Sequence, residues 1–353
     1  MERNILENTI LTYYPSYTKK AILQLAVNDG IIINNVKNIG QTNLNFTSSI
    51  DVSEDENIDD KYKHIKKTST VNENIYGLIE DYEYIKPYRH FTLFKLLSIN
   101  PQKIEGLVSN KTVNVFDRKS KLSKDDCIKP TIFVNNDKIF FKFSYILQND
   151  TKNSIKHVIL AIIDANDKII DIRFDRVGIA YKNSRNYYKD KINEILEYLQ
   201  QNIELKFENI DFKAIVDYMK SAKNDVTIFA QRMTRNGTTA YLEAYEEEAS
   251  IIPILGELDY FIEQNNDLFN KNIYTQEIKN KLQEFKNDIE EKSDLPLVKI
   301  RLDESGIKFG ITHNYKGTDY SLFMIYGELI RKELMDNVRD FIIRSYYELN
   351  KKL

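Results

Sequence analysis

The pattern that indicates the fold class most clearly is VILAIIDANDKIIDIRFDR, residues 158–176. Apolar runs lie on both sides of Asn166 and Asp167, two residue types that tolerate the positive φ angles of a tight hairpin turn. Closure at this turn pairs the inward residues as Ile163 with Ile170, Ala161 with Ile172 and Ile159 with Phe174. We therefore predict an antiparallel hairpin with these residues in the core, and with Asp171 and Arg173 on an opposite face that is open to solvent.

Hairpin signals recur elsewhere in the chain. The predicted turns are Asn136-Asp137, Asn236-Gly237 and Ser305-Gly306. The strands that flank them are predicted at residues 132–135, 138–147, 226–234, 238–245, 298–302 and 307–311. Asn-Gly is the pair preferred in type I′ turns, so the middle hairpin gives the strongest local signal. Residues 320–325 add a further predicted strand.

Apolar residues at spacings of three and four predict amphipathic helices between the hairpins. Helices are predicted after Ser16 and after Ser184, around 211–222 and 251–265, from Thr275 to 291, and over 327–350. Residues 75–105 fit a helix or a buried strand equally well. Hairpins that alternate with helices predict an α+β fold, in which antiparallel sheets are covered by amphipathic helices and the last helix is long.

A chain of 353 residues exceeds what one hydrophobic core usually organises, so we expect two or three domains. An acidic run followed by a lysine run at 51–67 lacks apolar periodicity and predicts an exposed linker. The predicted parts are a small N-terminal α/β unit at 1–46, a charged linker at 47–74, a central sheet and helix domain at 75–250, and a C-terminal domain at 251–353.

Composition restricts the setting of the protein. Hydrophobic residues make up 42% of the chain and charged residues 29%, which is typical of a globular protein with an ordinary surface. The longest apolar runs fall far short of the roughly 20 residues of a membrane helix, and the first residues lack the pattern of a secretory signal. Cys127 is the single cysteine, which excludes an internal disulfide. We therefore expect a cytoplasmic protein without a membrane partner.

The motifs of common cofactor enzymes are absent from the sequence. It contains no GxGxxG or Walker-type phosphate loop, no GxSxG elbow and no HExxH pair, so we expect no cofactor and no metal. A metal-dependent nuclease or other hydrolase stays an alternative, because Glu204 begins a (D/E)xK triplet with Asp190 upstream. Such triplets also arise by chance in a chain rich in lysine and acidic residues. A second candidate cation site is the acidic cluster of Glu243, Glu246, Glu247 and Glu248.

The charge distribution predicts the binding region. Counted with histidine neutral, residues 111–200 carry a net charge of +5, while 1–110 and 201–353 carry −2 and −6. Residues 181–191 interleave cations with tyrosines at a helix start, a mixture that neutralises phosphates and stacks on bases, and the basic loop at 118–124 widens this patch. The candidate nucleic-acid-binding residues are Arg173, Arg176, Lys182, Arg185, Tyr187, Lys189 and Lys191.

These observations favour a non-enzymatic binding or regulatory protein that contacts nucleic acid through its basic central region. The composition suits a phage, mobile-element or antiviral-defence setting. The alternative is a protein-interaction subunit, whose helices at 275–291 and 327–350 pack against a protein partner or in a homo-oligomer. The sequence leaves the choice between these functions open.

Overall fold

The structure, a computed structural model, describes residues 2–34, 50–67, 69–116, 129–223, 225–244, 253–291, 294–327, 329 and 333–352. The chain divides into two units. Unit 1 comprises Met1–Ile210 and Gly327–Arg339, and unit 2 comprises Asp211–Tyr326 and Asp340–Leu353. Both combine helices with antiparallel strands, which confirms the predicted α+β class. None of the described helices is both long and apolar enough to cross a bilayer.

Unit 1 is built on a mixed sheet. Its elements are α1 (Glu2–Asn8), α2 (Ser16–Asn28), β1 (Ile32–Ile33), β2 (Ile50–Asp51), α3 (Ile58–Lys66), α4 (Ser69–Ile85), β3 (His90–Ser98), α5 (Pro101–Ser109), β4 (Asn114–Val115), β5 (Thr131–Asn135), β6 (Lys138–Gln148), β7 (Ser154–Asp164), β8 (Ile169–Phe174), α6 (Tyr187–Ile203) and β9 (Lys206–Asn209). The sheet order is β9-β3-β8-β7-β6-β5-β4, and its neighbours are antiparallel except β4 and β5. Strands β1 and β2 form a separate parallel pair.

The segment predicted as an exposed linker contains β2 and, from Ile58 onward, the helix α3 and the start of α4. Asn57 caps α3 by accepting a hydrogen bond from the Asp60 amide, and Tyr62 and Ile65 on this helix are buried. Helix α4 follows from Ser69, and its buried residues pack with α2 and α3 in one apolar cluster. The prediction of an exposed segment is wrong for α3, because Tyr62 and Ile65 share one face of this helix and that face is buried beneath the charged residues around it. Residues 47–49 lie outside the described residues, and the predicted division into domains stays a prediction.

The hairpin of β7 and β8 has the predicted register, with Ile163 opposite Ile170 and Ile159 opposite Phe174. Its second face differs from the prediction, because Asp171 and Arg173 are buried rather than solvated. The Arg173 guanidinium lies 2.7 Å from the Asp171 carboxylate. Burial on both faces is possible here because the polar side chains neutralise one another.

Helix α11 (Glu333–Lys352) supplies the partners of this buried face. Its Asp336 carboxylate lies 2.8 Å from the Arg173 guanidinium, and its Arg339 guanidinium lies 2.8 Å from Asp164 and 2.9 Å from Asp167. Both of these helix residues belong to unit 1. The start of the long C-terminal helix is therefore fixed to the β7–β8 hairpin by charge-assisted hydrogen bonds.

Four ionisable side chains are buried between α4 and the sheet of unit 1. Glu80 and Glu83 lie about one turn apart on α4, and Lys142 on β6 and Lys156 on β7 each contact both carboxylates. The Glu83 carboxylate lies 2.8 Å from the Lys156 ammonium and 3.2 Å from the Lys142 ammonium. Burial opposes ionisation of Glu80, but Lys156 and Lys142 outweigh it and lower the pKa of Glu80 to about 2. We call these four residues the buried ion quartet.

Unit 2 has an antiparallel sheet with helices inserted between its strands. Its elements are α7 (Phe212–Ala222), β10 (Val226–Arg235), β11 (Thr238–Glu243), α8 (Pro253–Gln264), α9 (Asn266–Phe269), α10 (Ile273–Glu291), β12 (Asp294–Leu302), β13 (Ile307–Thr312), β14 (Leu322–Ile325) and the end of α11. The sheet order is β11-β10-β12-β13-β14. Asn236 and Gly237 have φ angles of 48° and 76°, which confirms the predicted type I′ turn.

We expect Lys156→Met to lower the free energy of unfolding by about 3–5 kcal/mol, because it leaves two buried carboxylates with one cation. Lys103→Met is the control, since Lys103 pairs with Glu204 at the surface and loss of such a pair costs less than about 1 kcal/mol. Urea unfolding followed by circular dichroism measures both changes. Equal losses in the two variants would contradict the role of the buried ion quartet.

Candidate functional site

Aromatic and titratable side chains of unit 1 converge beneath the basic segment at 181–191. Tyr13 ends a π-helical turn that follows α1, His157 lies on β7, and Asp175 directly follows β8. Tyr187 and Tyr188 form the first turn of α6. We call these five residues the tyrosine–histidine cluster. Four separate stretches of the chain contribute to it, so it exists only in the folded protein.

His157 is the centre of this cluster and is fully buried. Its Nδ1 lies 3.0 Å from the Tyr13 hydroxyl, and its ring centroid lies 5.9 Å from that of Tyr187. Burial raises the pKa of Tyr13 well above its ordinary value, so this hydroxyl keeps its proton, and the tautomer of the imidazole decides which of the two atoms donates.

Two polar atoms of the cluster have no hydrogen-bond partner among the described residues. They are Nε2 of His157 and the hydroxyl of Tyr187, both buried. Burial lowers the pKa of His157 to about 3; the Asp175 carboxylate opposes this shift, while Lys86 and Lys182 add to it. Perturbed titratable groups of this kind are concentrated at functional sites, although ion-pair networks also produce them.

Asp175 is held in place from two sides. The Lys86 ammonium lies 2.6 Å from one carboxylate oxygen, and the Arg89 amide donates a hydrogen bond to the other at 3.1 Å. Burial raises the pKa of Asp175, but Lys86 and these hydrogen bonds outweigh it, so the pKa is lowered overall. Asp175 therefore stays ionised and fixes the start of the loop at 175–186.

Tyr188 fixes the middle of the same loop. Its hydroxyl accepts a hydrogen bond from the Val177 amide at 2.7 Å. Its ring stacks on that of Phe174 at a centroid distance of 4.8 Å. The Lys182 ammonium lies over the Tyr188 ring, 4.4 Å from its centroid. The cation–π contact places the charge of Lys182 at the start of α6.

The predicted site residues divide into exposed and buried groups. Arg176 and Arg185 are exposed, and neither forms an ion pair within the described residues. Lys182, Lys189 and Lys191 are partly exposed, and the Lys191 ammonium lies 2.6 Å from Glu194.

Two of the predicted residues need correction. Arg173 is buried and bound to carboxylates, so it is not part of the exposed patch. Tyr187 is 3% exposed, so its ring faces the cluster and is not available to stack on a base. The basic loop at 118–124 lies outside the described residues.

The exposed cations surround the N-terminus of α6. Asn186 occupies the N-cap position without a side-chain hydrogen bond to the helix, and the partial positive charge of a helix N-terminus adds to that of the nearby Lys182 and Arg185. Ile179, in the same loop, is 85% exposed. The result is a positively charged surface with one apolar side chain at its edge.

The candidate nuclease site does not form. Asp190 lies in the first turn of α6 and Glu204 follows its last residue, so about 20 Å of helix separates them. The Glu204 carboxylate instead bonds with Asn100 and Lys103. Within the described residues, no group of three or more histidine, cysteine or acidic side chains is arranged to hold a metal ion.

The acidic cluster is only partly described. The Glu243 carboxylate accepts a hydrogen bond from Tyr241 and lies 3.2 Å from the Lys299 ammonium, which is an ordinary surface arrangement. The other members, Glu246, Glu247 and Glu248, lie outside the described residues.

Known proteins offer no guide to this site. No protein-family model, curated protein or solved structure matches the chain.

Sequence reasoning missed Tyr13, His157 and Asp175. One signal was present, because His157 directly precedes the apolar run from Val158 to Ile163 on one strand, and a histidine buried with such a run requires a specific partner. The partner itself was invisible, since Tyr13 is 144 residues away.

We expect His157 to remain neutral down to about pH 4, because its pKa is lowered to about 3 by burial. In the unfolded chain it takes up a proton near pH 6.5, so its contribution to stability is present above pH 6.5 and is lost as the pH falls from there towards 3. Carbon-13 NMR of the imidazole rings measures this titration, and His157→Asn identifies the signal. The same chain in urea is the control, and titration near pH 6.5 in the folded protein would contradict the burial of this ring.

Proposed function

We propose that this protein binds nucleic acid, without enzymatic activity, through the surface formed by Arg176, Lys182, Arg185 and Lys189. We call it the basic surface. The observation that carries the proposal is that Arg176 and Arg185 are exposed beside the N-terminus of α6 and pair with no carboxylate of the described residues. Exposed arginines without intramolecular partners are suited to bind phosphate oxygens, which they can contact with two parallel hydrogen bonds.

Buried contacts hold the loop that carries part of the basic surface. The ion pair of Asp175 with Lys86 and the hydrogen bond from Val177 to Tyr188 hold the loop that carries Arg176 and Lys182. The backbone that carries these cations is therefore largely fixed before a ligand binds. This arrangement favours affinity, because little loop motion is lost when the ligand binds.

The contacts of this surface are mostly with the phosphate backbone. Tyr187 is buried, so the predicted base stacking through its ring is not part of the proposal. Three to four cations on the surface give a salt dependence with a slope of about −0.9 for each phosphate contact on duplex DNA. We expect low sequence preference, since phosphate contacts carry no sequence information.

The proposal includes the cellular location and the biological context of the protein. A cytoplasmic location is supported by the presence of a single cysteine and by the globular composition. Phage, mobile-element or antiviral-defence biology remains part of the proposal on composition alone. Within the described residues, nothing in the geometry favours a hydrolase.

We expect Arg176→Glu with Arg185→Glu to weaken binding at least tenfold, because two phosphate contacts are replaced by repulsion. Raising salt from 50 to 200 mM weakens wild-type binding to duplex DNA by about 40- to 150-fold for three or four phosphate contacts. Fluorescence anisotropy with labelled single- and double-stranded DNA and RNA measures both effects. The same titrations with magnesium reveal any cleavage.

The matched control is Lys20→Glu with Lys220→Glu, which makes the same change of net charge at exposed lysines on α2 and α7. If the control pair weakens binding as much as the arginine pair, the attraction is a property of net charge and the basic surface is wrong. Absence of binding at 50 mM salt also rejects the proposal.

A further inference from the structure

The helices inserted between β11 and β12 of unit 2 expose much apolar surface. Helices α8, α9 and α10 carry seven of the sixteen large hydrophobic side chains that are exposed in the described part of the chain. The seven are Tyr260, Phe261, Leu268, Ile273, Tyr274, Ile278 and Phe285. Of the side chains described on these helices, only Ile262 is buried. Monomeric proteins rarely present a large apolar patch, so this surface is a candidate interface.

Helix α10 arranges part of this surface as a stripe. Tyr274, Ile278, Lys281 and Phe285 follow one another at spacings of four, three and four, which are alternating d and a positions of a heptad. Tyr274 is 75% exposed, and Ile278 and Phe285 are 53% and 55% exposed. The stripe therefore has the spacing of a coiled-coil seam, and its apolar side chains are at least half exposed in the described part of the chain.

The stripe is held in position by contacts at its C-terminal end, where Asp288 is the next d position after Phe285, and on a neighbouring face, where Lys286 lies. The Arg235 guanidinium, at the end of β10, donates hydrogen bonds of 2.8 Å to the main-chain oxygen and to the carboxylate of Asp288. The Lys286 ammonium lies 2.6 Å from Asp259 on α8. These contacts fix α10 to the sheet and to α8 without covering the stripe.

We propose that two copies of this chain associate through α10, packed antiparallel about a two-fold axis. The four positions of the stripe are symmetric about the midpoint between Ile278 and Lys281, so an antiparallel copy sets Tyr274 opposite Phe285 and Ile278 opposite Lys281. Self-complementary pairing of one patch with itself is what a two-fold interface requires.

The charges of the stripe fit this pairing. The methylene groups of Lys281 cover Ile278 of the other copy, and its ammonium then lies beside Glu277 of that copy. Within one chain, Lys281 is 3.7 Å from Glu277 and both side chains remain well exposed, at 71% and 65%. Both are therefore accessible for a contact across the axis.

The exposed area indicates how much of this surface a second copy has to cover. The three apolar residues of the stripe, with side chains of about 150–250 Å² that are half to three-quarters exposed, offer on the order of 350 Å², so the other exposed residues of α8, α9 and α10 have to contribute to reach the roughly 800 Å² per partner of a standard interface. The exposed apolar residues of α8 extend the contact beyond α10, so the dimer has the helix content of a four-helix bundle. This association is independent of the nucleic-acid-binding proposal.

Sedimentation of the full chain from 1 to 100 μM tests the proposal. We expect a mass approaching twice the 41.6 kDa of one chain, and we expect Ile278→Lys to weaken association at least a hundredfold, because it sets a second cation opposite Lys281 and a two-fold interface contains the substitution twice. Val134→Lys is the matched control, since Val134 is 57% exposed on β5 of unit 1. A monomer at 100 μM, or association that Ile278→Lys leaves unchanged, overturns the proposal, and circular dichroism checks that both variants are folded.

Disulfide cross-linking tests the direction of packing. In a chain with Cys127→Ser, we expect Tyr274→Cys combined with Phe285→Cys to form covalent dimers on oxidation. The two positions are about 16 Å apart along one helix, too far for a disulfide within one chain. Tyr274→Cys alone is the control, because antiparallel packing keeps its two copies apart whereas parallel packing brings them together. Efficient cross-linking of the single variant would overturn the antiparallel arrangement.

Discussion

The buried ion quartet is the constraint on which the rest of unit 1 depends. Lys142 and Lys156 are on neighbouring strands and enclose the carboxylates of Glu80 and Glu83, so α4 can lie on the sheet in one register only. Slipping α4 by one turn would leave charges buried and unpaired, which costs several kcal/mol. The Tyr14 hydroxyl also contacts the Glu83 carboxylate, at 3.3 Å, and the neighbouring Tyr13 reaches His157. The position of α4 is thus linked to the geometry of the tyrosine–histidine cluster.

The strand registers could be predicted from the sequence because they depend on local information. Alternation of side chains and the turn residues together determine which residues face each other, as at Ile163 and Ile170. The environment of the face of the β7–β8 hairpin that carries Asp171 and Arg173 could not be predicted in this way. Asp171 and Arg173 have the pattern of a solvated face, and only the approach of Asp336 and Arg339, more than 150 residues later, shows that they are buried. A polar residue on a strand is compatible with water or with a buried partner, and local sequence does not distinguish them.

Only part of the candidate site could be predicted from the sequence. The cations at 182–191 follow one another along the chain and were visible, whereas Tyr13, His157 and Asp175 come together only by folding. Tyr187 and Tyr188 show how far a helical pattern predicts burial. The helical stripe of α6 predicts a buried Tyr188, but Tyr187 is also buried because a strand from another part of the chain supplies His157 beside it. Helices α3 and α4 were missed for a related reason, since dense charge obscured the buried positions Tyr62 and Ile65.

The hydrogen bond from the Val177 amide to the Tyr188 hydroxyl has a consequence for evolution of the loop at 175–186. The bond uses a main-chain donor, so it excludes only proline at residue 177 and makes no contact with the side chains of residues 178–186. Arg176, Ile179 and Arg185 can therefore be exchanged without losing this anchor, while Tyr188 cannot be replaced even by phenylalanine without releasing it. Such a division between one fixed tyrosine and freely variable neighbours allows the loop to change its ligand while the fold beneath it stays the same.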